Sequence, residues 1–133
     1  MTRDEISEGV RACVARVVDK ECSSIRPSDR IIDDLGADSL DLLDLVFQLE
    51  QRFSLKISPR GIERRAREQL GGAPLEVDGV YTAAALSELR NALPEVPAEE
   101  FKEGLKSSAL PRLFRVETFV NLVSRLLDGN AEN

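Results

Sequence analysis

The 133-residue chain has no histidine and no tryptophan, one tyrosine, one methionine and two cysteines. Without histidine, Ser-His-Asp and Cys-His catalysis are excluded as usually built, and so are His-ligated zinc and HExxH sites. Two cysteines, Cys13 and Cys22, do not make a disulfide framework in a chain this long. The apolar runs are far shorter than the roughly 20 residues that span a bilayer. The N-terminal Met-Thr-Arg-Asp-Glu lacks the basic and apolar regions of a secretory signal, so the expected compartment is the cytoplasm. Basic residues are outnumbered, 18 against 24 acidic, for a formal net charge of −6. Such a surface repels nucleic acid and suits partners with basic patches.

Leu, Ala, Glu and Arg dominate what remains, and all are helix formers. The length predicts one domain able to bury a core without metals or disulfides. Thr2 and Glu5 have capping-box spacing. Ile6, Val10, Cys13, Val14, Val17 and Val18 then recur at helical intervals, predicting a helix over 3–18 with Cys13 on its buried face. Residues 19–37, with Pro27, Gly36 and a polar cluster, read as a long loop that Ile31, Ile32 and Leu35 pin to the core. Cys22 falls in that loop.

A second helix is expected from Asp38, a good N-cap with Asp41 three residues on, to Phe53 or Ser54. Its apolar stripe is wide: Leu40, Leu43, Val46, Phe47 and Phe53, broadened by Leu42, Leu45 and Leu49. Further on, Pro59 to Leu70 predicts a short basic helix stopped by Gly71-Gly72. The Asp-Gly within Leu75–Tyr81 is a weak hairpin signal. Thr82 caps a helix to Ala92, and Pro97 is expected to start another to Lys106. Ser107 to Pro111 reads as a loop, and Val116 to Leu127 as a final helix stopped by Gly129, with a disordered polar tail after it.

The informative stretch is Leu35-Gly-Ala-Asp-Ser-Leu-Asp41. It places Ser39 in the first turn of a helix, after a glycine-containing loop. Free N–H groups and a partial positive charge there tolerate a phosphate. Asp38, Asp41, Asp44 and Glu50 flank the helix, and no Lys or Arg occurs between residues 31 and 51. A serine surrounded by charge of one sign is suited to docking on basic surfaces.

This stretch closely resembles the modification site of acyl carrier proteins. The resemblance implies an all-α, acyl-carrier-type four-helix bundle. It also implies 4′-phosphopantetheine attached to Ser39, with Asp38 and Leu40 completing the tripeptide. Asp38, Asp41, Asp44 and Glu50 would then recognise partner enzymes: a phosphopantetheinyl transferase and the basic surfaces of synthases and acyltransferases. Acyl chains, held as thioesters in fatty-acid or specialised lipid biosynthesis, would be the cargo. Leu40, Val46, Phe47 and Phe53 could both pack the core and line a cleft for the acyl chain. The preceding acidic residue fits acyl better than peptidyl carriers. An aminoacyl or peptidyl carrier and an unmodified carrier-fold scaffold remain alternatives. The expected protein is a non-catalytic monomer.

The resemblance covers 1–57 and about 114–128. Between them lies an insertion at about 58–114, expected to be mostly helical within a single acyl-carrier domain spanning 1–133. Its size and place suggest a carrier specialised for long or unusual chains or for a dedicated acyltransferase. Arg60, Arg64, Arg65 and Arg67 are the only positive concentration; they either pair with Glu63 and Glu68 or bind an anionic partner or membrane surface. Asp33, Asp34, Asp38 and Asp41 lack EF-hand spacing, and no metal site is expected.

Overall fold

A computed structural model describes residues 1–58 and 60–128. The expected stop at Gly129, the polar tail and Pro59 lie outside the described residues. The chain divides into two compact units, one formed by 1–57 with the segment from 114 onward, the other by 58–113.

The first unit contains three long helices. α1 spans Arg3–Val18, α2 Ser39–Phe53 and the last helix Val116–Leu127. α1 starts as its sequence demands. The Thr2 hydroxyl accepts from Glu5 N–H at 3.1 Å and the Glu5 carboxylate accepts from Thr2 N–H at 2.8 Å, so two orphan donors are satisfied reciprocally. These hydrogen bonds hold the Glu5 carboxyl below its ordinary range. α1 packs against both α2 and the last helix. Ile6, Val10, Cys13 and Val14 from α1 meet Leu45, Leu49 and Phe53 from α2 in one core. Val116, Phe119, Val120 and Val123 complete it from the last helix.

No fourth helix joins this core among the described residues of the unit. The 19–37 segment fills that place with Ile25, Ile31, Leu35 and Ala37, all buried; Ile32 is only half-buried. The segment also contains one 3₁₀ turn, Cys22–Ser24. Its backbone is tied to the start of the last helix. Ile31 N–H donates to Phe114 O at 3.1 Å, and Val116 N–H to Asp29 O at 2.9 Å.

In the second unit, α3 (Gly61–Gln69) packs on α4 (Ala83–Ala92); the last helix is therefore α5. A two-stranded antiparallel hairpin, β1 (Glu76–Val77) and β2 (Val80–Tyr81), lies between α3 and α4 in the chain. Asp78 and Gly79 both have positive φ, 54° and 80°, the backbone of a type I′ turn that Asp-Gly favours. Thr82 caps α4 by accepting from Ala85 N–H at 3.1 Å.

The helix expected over 97–106 is not formed. Ala98–Glu100 makes one 3₁₀ turn, and Phe101, 1 % exposed, plugs the core of this unit. The chain reverses at Gly104, with φ +95°, and then pairs with the hairpin. Tyr81 N–H donates to Leu105 O at 3.0 Å and Ser107 N–H to Gly79 O at 2.9 Å. Burial of Phe101 and these ladder bonds outweigh the local preference for helix. The expected loop from Ser107 is instead a 3₁₀ stretch, Ser107–Leu113, that buries Leu110 and Leu113.

Candidate functional site

The geometry around Ser39 is set from both sides. Upstream, Arg30 organises the approach. Its N–H donates to Asp34 Oδ2 at 2.8 Å and its guanidinium to both Asp34 oxygens at 3.2–3.3 Å. Asp33 lies 3.5 Å away as a second ion-pair partner. The Arg30 hydrogen bonds hold the Asp34 carboxyl below its ordinary range. Asp34, Leu35, Gly36 and Ala37 N–H groups all turn back onto carbonyls of residues 30–32. Gly36 takes φ +80°, a conformation that costs any residue with a Cβ. The turn drops Leu35 and Ala37 into the core and leaves Asp38, Ser39 and Leu40 exposed.

Sequence reasoning did not identify Asp29, Arg30 or Arg115 as parts of this scaffold. Asp29 is 4 % exposed; its carboxylate accepts from Arg26 N–H at 2.8 Å and pairs with the Arg26 guanidinium at 3.1 Å. Arg115 N–H donates to the Thr118 hydroxyl at 2.9 Å, capping α5 in the same region. The only signal available was Asp29 and Arg30 three and four residues from Arg26 and Asp34 in a loop, a spacing that helices and turns share.

Downstream, Asp38 caps α2. Its Oδ1 accepts from Asp41 N–H at 2.9 Å, and Asp41 Oδ2 accepts from Asp38 N–H at 3.1 Å. Ser39 is the first residue of the helix. Leu42 N–H makes the first intrahelical bond, to Asp38 O at 3.0 Å, so the N–H groups of Ser39 and Leu40 point outward at the positive end of the helix dipole. An exposed hydroxyl beside two unpaired donors has room for a phosphodiester-linked group.

α2 is amphipathic in an unexpected way. Leu45 and Leu49 are fully buried and Phe53 nearly so, with Leu42 and Val46 packed beside them. Leu40, Leu43 and Phe47 face solvent, at 73, 60 and 58 % exposure. The reading of Leu40 and Phe47 as core residues is therefore corrected. At 100° per residue the buried set and the exposed set occupy opposite faces, and the exposed one forms a stripe leading away from Ser39. Asp44 lies along one side of that stripe, with Gln48 Nε2 donating to its Oδ2 at 3.4 Å. Glu50 lies on the other side. One of its oxygens accepts from Ile57 N–H at 2.8 Å, so Glu50 closes the turn after α2 within the fold.

Where Phe47 meets α1, a groove of about 430 Å³ is lined by Ala12, Cys13, Arg16, Gln48 and Arg52. Burial pushes the Cys13 thiol above its ordinary pKa, leaving it protonated at neutral pH. Among the described residues no cluster of three or more His, Cys, Asp or Glu is arranged to hold a metal ion, and no helix is long and apolar enough to cross a membrane.

Residues 8–64, which include Ser39 and all of α2, match the family described as "Phosphopantetheine attachment site". Proteins named acyl carrier protein are similar over 43–50 % of the chain. That of Thermotoga maritima is 36 % identical over 63 residues, 47 % of this chain and 78 % of that protein. That of Helicobacter hepaticus is 39 % identical over 57 residues, 43 % and 75 %. That of an Exiguobacterium species is 36 % identical over 66 residues, 50 % and 84 %. No solved structure matches the chain.

Proposed function

The chain belongs to the acyl carrier protein family, and from that premise we propose that Ser39 is the residue bearing its covalent 4′-phosphopantetheine. Acyl carriage on that arm is the function. The thiol of the arm supplies a thioester linkage to the acyl group; carriers of this kind are not catalytic in themselves. The observation that carries the assignment to Ser39 is the exposed hydroxyl at the first position of α2, held by the Asp38–Asp41 cap next to two unpaired N–H groups.

Each neighbouring residue then has a role. Asp38 and Asp41 fix the start of the helix and keep the Ser39 hydroxyl clear of the fold. Leu40, Leu43 and Phe47 form the apolar centre of the docking face, and Asp38, Asp41 and Asp44 its acidic rim, which steers basic surfaces of a phosphopantetheinyl transferase and of acyl-processing enzymes. Glu50 shares the acidic field while it closes the turn to Ile57. The protein acts in the cytoplasm, where those enzymes and coenzyme A meet it. Residues 58–113 are an insertion in a carrier domain spanning 1–133, and they adapt it to a dedicated partner or to long or unusual acyl chains.

The test is loading. Protein bearing the arm is acylated by an acyltransferase, and its mass rises by one acyl group. Neutral hydroxylamine then removes that group, as it does a thioester. An acyl group that resists hydroxylamine would be an ester on a hydroxyl and would contradict the assignment.

A further inference from the structure

The second unit carries a feature that acyl carriage does not use. Residues 58–113 hold eight Lys or Arg against nine Asp or Glu, so this unit is close to neutral in an acidic chain. Four of those eight fall between 60 and 67, and three, Arg60, Arg64 and Arg67, are spaced i, i+4 and i+7, along one side of α3. All three are exposed. Their own chain leaves them largely unneutralised. The Arg60–Glu63 pair is long, at 3.9 Å, with the Arg60 side chain 88 % exposed. Arg64 reaches only the Ser58 hydroxyl, at 3.4 Å.

Glu63 is committed elsewhere, accepting from Tyr81 OH at 2.6 Å. That bond and the burial of Ala66 fix which side of α3 faces out. Glu68, exposed one turn from Arg64, is the other acid of α3.

We propose that this arginine stripe is a docking site for the α2 face of a second copy of this chain. Three observations favour that occupant. Asp38, Asp41 and Asp44 step along α2 over about 9 Å, and the three arginines along α3 over about 10 Å, so the two rows match in sign and length. Between 31 and 51 the chain has no basic side chain, so α2 offers no like charge to the stripe until Arg52 in its last turn. Finally, α2 exposes Leu40, Leu43 and Phe47, which the aliphatic stems of arginine can cover. The pairing hides the surface around Ser39, so the protein is a single chain when dilute and withdraws its docking face as its concentration rises. The proposal rests on charge and exposure alone and holds whether or not Ser39 bears an arm.

Sedimentation equilibrium of the full chain tests it. In about 20 mM salt the average mass should climb from 14.7 kDa to twice that value or more across the micromolar to millimolar range, since each chain offers both faces, and in about 0.5 M salt it should stay at one chain. Arg60→Glu/Arg64→Glu/Arg67→Glu and Asp44→Arg should each abolish the rise, and an equimolar mixture of the two should restore it, because each supplies the face that complements the other. The triple Gln variant, which retains helix propensity, serves if the Glu variant unfolds. A single-chain mass at every concentration in low salt overturns the proposal, as does association that survives high salt or the arginine substitutions.

Discussion

The carboxylates of Asp38 and Asp41 exchange hydrogen bonds with each other's backbone, at 2.9 and 3.1 Å, and Ser39 sits inside the loop they close. This is a capping box with aspartate in place of the usual glutamate at its third position. The same two side chains stabilise α2 and stand at the rim of the docking face, and substitution separates the two roles. Asp38→Ala should cost about 1 kcal/mol of stability, while Asp38→Ser, which still caps, should cost only a few tenths. Both should slow transfer of the arm to a similar degree, because both remove a charge that steers the transferase. Urea unfolding paired with transferase kinetics reads the two effects.

The split face of α2 predicts two classes of leucine. Leu45→Ala, at a fully buried position, should destabilise by about 2–5 kcal/mol. Leu40→Ala and Phe47→Ala should change stability by no more than about 0.5 kcal/mol and yet lower kcat/KM for modification and acyl transfer. A stability loss for Leu40→Ala as large as that for Leu45→Ala would place Leu40 in the core and remove it from the docking face.

Gly9 of α1 lies against the C-terminal turn of α2. A Cβ there would stand 2.6 Å from Phe53 Cζ and 2.9 Å from Arg52 Nε. Gly9→Ala gains about 1 kcal/mol of helix propensity but forces the buried Phe53 ring to move, at about 1–3 kcal/mol, so the net effect should be zero to moderately destabilising. Phe53→Leu should relieve the clash. A double-mutant cycle on thermal unfolding should therefore show coupling between the two positions.

Tyr81 gives the second unit a sensitivity to alkali. Burial, and then its hydrogen bond to Glu63, push the phenol well above its ordinary value of 10.0. A group whose folded pKa is raised contributes stability that is complete below the unfolded pKa and is lost as pH rises toward the folded one. Stability of the second unit should therefore be flat through neutral pH and fall above about 10. Tyr81→Phe should be less stable at pH 7, through the lost bond to Glu63, and should lose less between pH 9 and 11. Amide exchange of α3 and β2 across that range checks it.

Much of this was legible in the sequence because the signals were local. The Thr2–Glu5 box, the 3.6-residue period of α1, the Asp38 cap, the Asp-Gly turn and the Thr82 cap each depend on a few adjacent residues, and all formed as read. The failures came from tertiary context. Pro97 starts a single turn because Phe101 is drawn into a core built from residues distant in sequence. Leu40, Leu43 and Phe47 fit a helical stripe as well as Leu45 and Leu49 do, and only the position of α1 and α5 decides which set is covered. Asp29 and Arg30 looked like ordinary loop polarity because their side-chain partners, Arg26, Asp33 and Asp34, are local, while the backbone bonds that tie this segment to the start of α5 join residues some eighty positions apart and leave no local signal.

The central claim is that the hydroxyl of Ser39 takes the arm. Intact-protein mass after incubation with coenzyme A, magnesium and a broad-specificity phosphopantetheinyl transferase tests it most directly. The account predicts one added phosphopantetheine on the wild-type chain and none on a folded Ser39→Ala variant. An arm on Ser39→Ala, or no addition to a folded wild-type chain by an active transferase, would contradict it.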